Sequence, residues 1–265
     1  MRPQWPNPEF ARALKNWGST IGELSHVSLA DPIWFSWCGW LLLLAPVLLW
    51  QKRDRNAPSF LMPLLIATFG LTMWQARWAY FFVIIFAMMV PGLLSVVRKS
   101  IFASAIFIIA LYPIAQSWDR TFAEENLARQ AENRIEQMEL RIIASHVDGP
   151  FLGPSWFSPA ISYWSQQPGV GGSSHESISG IVETAKFFAT ENAEEMTELI
   201  QRLSVKWVVI YDAERVAQNS SQILGRAVSK NAACYFLDYR AGQAPRLLHL
   251  TAQTGHFKLF RVSQS

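Results

Sequence analysis

The sequence predicts an α-helical membrane domain of four transmembrane helices followed by an external mixed α/β domain. Two observations carry that expectation. First, the 265 residues are 51% hydrophobic and only 16% charged, against about a quarter charged in an ordinary soluble chain. The deficit is local: between Trp34 and Trp118 the charges are Lys52, Arg53, Asp54, Arg55, Arg77, Arg98 and Lys99. Second, the sequence after Trp118 returns to ordinary charge density, with turn residues and mixed helix and strand patterns. Residues 1–33 read as an external loop, 34–118 as the transmembrane region and 119–265 as the external domain.

The apolar segments are Trp34–Trp50, Pro58–Trp74, Tyr80–Val97 and Ile101–Trp118. At about 1.5 Å rise per residue, each just spans a thin hydrocarbon core. Trp and Tyr sit at nearly every end, as an interfacial aromatic belt requires. Pro46, Pro63, Pro91 and Pro113 lie inside, which lipid-embedded helices tolerate. Basic hinges between the segments argue against buried helices of a soluble core. Lys52, Arg53 and Arg55 fall between spans one and two, and Arg98 and Lys99 between spans three and four. The positive-inside rule makes both hinges cytoplasmic. The residues before Trp34, the Gln75–Trp78 hinge and the C-terminal domain then share the extracytoplasmic side of an inner or plasma membrane. No apolar run follows a basic start in the first 30 residues, so no cleavable signal peptide is expected and the first span does the targeting.

Net charge is +3 and the basic residues form no long run, which gives no nucleic-acid footprint. Cys38 lies in an apolar segment and Cys234 in the soluble part, so no disulfide is expected.

In the external domain, Asp119–His146 has the pattern of one long helix, with Leu127, Ala131, Ile135, Met138 and Ile142 on one face. Phe151–Ser177 is loop-rich in Gly, Pro and aromatics, a surface suited to membrane or ligand contact. A helix is expected at Ile178–Thr190. A second, capped by Asn192 with Glu195 three residues on, ends near Leu203. Lys206–Tyr211 reads as a buried strand, Ser221–Ser229 as a helix, and Cys234–Tyr239, Arg246–Leu250 and Phe257–Val262 as further strands.

Four positions could carry chemistry. Glu23, in Thr20-Ile21-Gly22-Glu23, sits just outside the first span, where a carboxylate can bind a divalent cation or polarise an acceptor; the plain alternative is a solvated loop residue. Arg77 sits at the outer end of spans two and three, where basic residues are depleted. It suits a bidentate clamp on a lipid phosphate, or it snorkels to the interface. His175 follows Gly169, Gly171 and Gly172. That run lacks phosphate-loop spacing, so His175 is an acid–base candidate or a turn residue. Asp212, at a strand end, is read as the cap of the next helix.

Taken together, TIGE at Thr20–Glu23, four spans, Arg77 in QARWAY, and two helices feeding KWVVIYD resemble the C-terminal half of a membrane glycosyltransferase of the GT-C type. The catalytic subunit of oligosaccharyltransferase is the family it is most similar to. The resemblance implies protein glycosylation from a lipid-linked oligosaccharide. Glu23 would be catalytic and would help hold Mg²⁺ or Mn²⁺, and Arg77 would bind the donor phosphate. Thr20, Trp156, Phe157, Ser158 and His175 would face the acceptor. The family's Trp-Trp-Asp acceptor motif would fall at Trp156-Phe157-Ser158, where the Asp is absent.

The family's first-loop carboxylate and Asp-x-Asp-type motif belong to an N-terminal half, which the resemblance makes a partner beside membrane lipid and a polyprenyl-linked sugar donor. Two readings stand. One is part of a glycosyltransferase taking sugar from a polyprenyl-(pyro)phosphate. The other is a non-catalytic membrane-anchored module whose external domain binds a partner protein or envelope glycan. A transporter fits less well, since one edge charge marks little of a pathway.

Overall fold

The computed structural model describes residues 8–19, 21–51, 60–97 and 99–263. Thr20, Lys52, Arg53, Arg55, Pro58 and Arg98, all used above, lie outside them. The chain forms two compact units, Met1–Thr20 with Ala131–Ser265, and Ile21–Gln130. Helix α1 (Pro8–Ser19) belongs to the first of these, so the expected N-terminal loop contains a helix of the α/β unit.

The expected span Trp34–Trp50 is three pieces: α2 (Ile33–Ser36), a 3₁₀ segment at Gly39–Leu44, and α3 (Ala45–Gln51). The break is at Cys38, whose φ is +58°. Its thiol donates to the Ala110 carbonyl at 2.7 Å. Gly39 follows because a Cβ there would lie 2.9 Å from the Trp34 carbonyl oxygen. Helices α4 (Leu61–Trp74), α5 (Ala79–Leu94) and α6 (Ser100–Thr121) follow. By length and composition, Ala76–Leu94 and Ser100–Thr121 are long and apolar enough to cross a membrane, while Gly39–Trp50 and Leu61–Trp74 are shorter. An aromatic and aliphatic cluster of Trp34, Leu41, Leu65, Phe82, Phe86, Met89 and Leu93 packs between them.

Helix α7 (Glu124–Ala144) belongs to the α/β unit from Ala131 onward, and β1 (Phe151–Leu152), α8 (Ser158–Ser165), α9 (Ile178–Ala189), α10 (Ala193–Arg202) and β2 (Trp207–Ile210) follow. Then come α11 (Ala213–Leu224), α12 (Ala233–Tyr239), β3 (Leu248–Gln253) and β4 (Lys258–Val262). The sheet order is β1-β2-β4-β3. Strand β1 runs parallel to β2, and the other pairs are antiparallel. All four β2 residues are buried, as an interior strand covered on both faces requires. Phe151, Phe187, Phe188, Phe257 and Phe260 close the core around it. On α1, Ala13 is buried among Ile178, Ile181, Val182, Ala185 and Ile223 of α9 and α11.

Further expectations change. The long helix from Asp119 to His146 is broken at Phe122–Ala123. Its expected inner stripe is outward: Leu127, Ile135, Met138 and Ile142 are exposed, while Leu140, Ile143 and Ala144 are buried. Both stripes obey a three-to-four spacing, so periodicity alone does not choose between them. Cys234–Tyr239 is helix α12 rather than a strand. It is a short, aromatic-rich apolar run buried on several sides, and its Ala233 N–H is held by the Thr190 carbonyl at 2.7 Å. The helix expected at Ser221–Ser229 starts earlier, at Ala213, and ends at Gly225 with φ +66°. Asp212 caps it, its carboxylate accepting from the Arg215 N–H at 2.8 Å. Asn192 caps α10 by accepting from the Glu194 N–H at 2.8 Å. Glu195 accepts from the Thr190 hydroxyl instead of closing a capping box. Both cysteines are free and buried.

Candidate functional site

The site lies within the apolar unit and depends on two backbone contacts far apart in sequence. The Ala76 N–H donates to the Ser25 carbonyl at 2.9 Å, and the Val27 N–H to the Met73 carbonyl at 3.3 Å. These bonds fasten the segment after the TIGE motif to the hinge between α4 and α5. Glu23 rides on a 3₁₀ turn, Gly22–Leu24, and Arg77 on another, Ala76–Trp78. Both therefore line one cavity of about 650 Å³, walled by Ile33, Trp37, Tyr80, Val83 and Ile84. That size is typical of small-ligand pockets, which run about 300–1,000 Å³.

The walls are apolar and the two charges are of opposite sign. Among the described residues no ion pair joins Glu23 to Arg77 or to any other group. The Arg77 guanidinium carbon stands 5.5 Å from the Trp78 ring centroid, a cation–π contact that steadies the head group without neutralising it. Flanking it, Gln75 Oε1 and Trp78 Nε1 are buried atoms with no hydrogen-bond partner among the described residues. Such atoms normally find one, so this hinge holds unspent polar capacity beside a cation. An apolar groove ending in a cation and a carboxylate can take a molecule with a hydrocarbon part and an anionic head.

Glu23 is the carboxylate of this cavity. Among the described residues no group of three or more His, Cys, Asp or Glu could hold a metal ion. Glu23 alone supplies one carboxylate, so a Mg²⁺ or Mn²⁺ ion here would need its other oxygen ligands from elsewhere, such as water or a donor phosphate.

Of the expected acceptor-facing residues, Trp156, Phe157 and Ser158 lie in the α/β unit. Thr20 falls outside the described residues, as does the His175 side chain, whose backbone opens a 3₁₀ turn. Phe157 and Ser158 are buried and Trp156 is 37% exposed. Of the three motif positions, only Trp156 therefore has surface to offer. Pro159 lies in the first turn of α8, and the Ser158 hydroxyl donates to the Pro154 carbonyl at 3.2 Å.

Beneath Trp156 is a group that sequence reasoning missed. The Tyr211 ring meets Phe157 with centroids 4.9 Å apart and Trp156 at 6.4 Å. The Tyr211 hydroxyl donates to Glu136 and accepts from Arg215. Burial, and then the hydrogen bond to the Glu136 carboxylate, push the Tyr211 phenol up to about 12. It is a fixed neutral donor, not an acid–base group at neutral pH. The sequence signal was available: Glu136 shares a helical face with Leu140 and Ile143, the stripe that turns out to be buried.

No family model and no curated protein matches this chain. Among solved structures it is similar to two crystal structures of the C-terminal globular domain of oligosaccharyltransferase from Archaeoglobus fulgidus. One has 17% identity and a TM-score of 0.38, covering 48% of this chain and 96% of that one. The other has 16% identity and a TM-score of 0.33, covering 51% and 95%. Likeness at this level assigns neither a family nor an activity.

Proposed function

We propose that this chain is part of a membrane glycosyltransferase that moves a sugar or oligosaccharide from a polyprenyl-(pyro)phosphate donor to an acceptor, in the manner of an oligosaccharyltransferase. One observation carries the reading: Glu23 and Arg77, far apart in sequence, line the same apolar-walled cavity. In this reading the four apolar segments lie in the membrane, with the cavity and the α/β unit on the extracytoplasmic side. The polyprenyl chain runs along Tyr80, Val83 and Ile84. Arg77 holds the phosphate and stabilises the charge that grows on it as the sugar departs. Glu23 polarises the acceptor. A divalent cation in this reading takes Glu23 together with oxygen ligands from the donor phosphate, water or residues beyond those described.

The test is sugar transfer from a lipid-linked donor in membranes containing the assembled enzyme. Glu23→Gln and Arg77→Ala should each lower the rate at least a hundredfold. Wild-type rates in both variants would remove the proposal.

The motif position occupied by Ser158 supports a second reading, a non-catalytic module. A buried hydroxyl spent on Pro154 cannot do a carboxylate's work. In that case the α/β unit retains a partner protein or envelope glycan while neither variant has a transfer phenotype.

A further inference from the structure

A second cavity, of about 390 Å³, opens on the α/β unit and is lined by Asp148, Lys206, His249, Arg261, Val262 and Ser263. It plays no part in the reading above. We propose that it binds a phosphate group, with Lys206, His249 and Arg261 as the recognising side chains.

Strand register assembles it. Arg261 of β4 stands directly opposite Trp207 of β2 and directly opposite His249 of β3. Residues directly opposite in a sheet share a face and touch, so the three form one row across three strands. Lys206 joins them because its carbonyl accepts from the Val262 N–H at 2.8 Å. The Lys206 stem needs Gly149 beneath it: a Cβ there would lie 2.6 Å from Lys206 Cδ.

The Trp207 indole organises the charges. Arg261 lies over its face, with 5.6 Å from the guanidinium carbon to the ring centroid. Asp148 is held at its edge, accepting from Trp207 Nε1 at 2.8 Å. The one carboxylate of the cavity is thus engaged by the indole. Among the described residues no ion pair reaches Lys206, His249 or Arg261. A guanidinium stacked on an aromatic face keeps its edge free for bidentate contact with phosphate oxygens. Elsewhere in this unit Lys230 pairs with Glu214 and the half-buried Lys258 with Asp238. The volume lies at the low end of small-ligand pockets, enough for a phosphate and what it is attached to.

The experiment uses the full chain in neutral detergent at constant ionic strength. Inorganic phosphate is titrated against chloride by calorimetry, then short-chain soluble phosphatidate. Saturable phosphate binding is expected in the wild type. A Lys206→Ala, Arg261→Gln double variant should bind at least tenfold more weakly, and His249→Ala more weakly by a smaller factor. All three positions are exposed, and an unchanged melting curve checks that each variant folds. Phosphatidate binding tenfold tighter than phosphate identifies a lipid headgroup as the source; equal affinities identify a free phosphate or phosphorylated metabolite. No saturable binding in the wild type, or equal binding in the double variant, overturns the site.

Discussion

The two units of this chain are built with opposite surfaces. In the α/β unit the large aromatic side chains build the core: Phe151, Phe187, Phe257 and Phe260 are fully buried, although α7 keeps Ile135, Met138 and Ile142 on its outer face. In the apolar unit many large side chains face outward: Leu43, Ile101 and Ile108 are 77%, 74% and 68% exposed. Of α6, only Ala110 is buried. Water penalises such a surface by roughly 25 cal/mol for each Å² of apolar area left exposed, whereas hydrocarbon accepts it. The same residue type therefore does two jobs. In one unit it drives packing, and in the other much of it faces outward.

Substitutions should separate those jobs. The largest effect is expected inside the sheet. Phe260→Ala leaves a cavity in a filled core and should cost about 3–5 kcal/mol, read from denaturation of the α/β unit's circular dichroism signal. A loss below about 1 kcal/mol would mean that this core is not packed as described. Next is Ile108→Asp, near the middle of α6. A carboxylate at the centre of a membrane helix costs about 2.5–3.5 kcal/mol on insertion, so the membrane-integrated fraction should fall sharply. Unchanged integration would place α6 outside hydrocarbon and dissolve the comparison.

The smallest effect concerns pH. Burial raises the Glu139 carboxyl, but hydrogen bonds from the His256 ring and N–H and from Thr254 outweigh it and hold it below the ordinary carboxylate value. Its contribution to stability is therefore present above the unfolded carboxylate pKa and is lost as pH falls through the lower folded value. Glu139→Gln should flatten the acid limb of the stability curve of the α/β unit and leave membrane integration untouched.

Much of this was legible in the residues. Lys206–Tyr211 contains β2, Asn192 and Asp212 cap the helices they precede, and the apolar segments fall where α4, α5 and α6 lie. Local chemistry fixes those features, and sequence displays local chemistry. The misses share a cause in long-range packing. Cys38 breaks the first apolar segment because its thiol meets Ala110 on α6. The Cys234–Tyr239 run is helical because several sides of it find neighbours. Helix α7 has two apolar stripes, and only the fold decides which is buried. The same holds for the site. Glu23 and Arg77 were each visible as out-of-place charges, but their sharing of one cavity rests on the Ser25–Ala76 hydrogen bond, and the basic row on the sheet exists only in the register of three strands.

The most direct test of the central claim is binding of a polyprenyl phosphate to the full chain in detergent, comparing wild type with Arg77→Ala and Glu23→Gln. If Arg77 holds the donor phosphate at the end of the apolar groove, Arg77→Ala should weaken binding at least tenfold. Glu23→Gln should leave binding near wild type, because the proposed role of Glu23 is toward the acceptor. Equal affinity in wild type and Arg77→Ala would contradict the account.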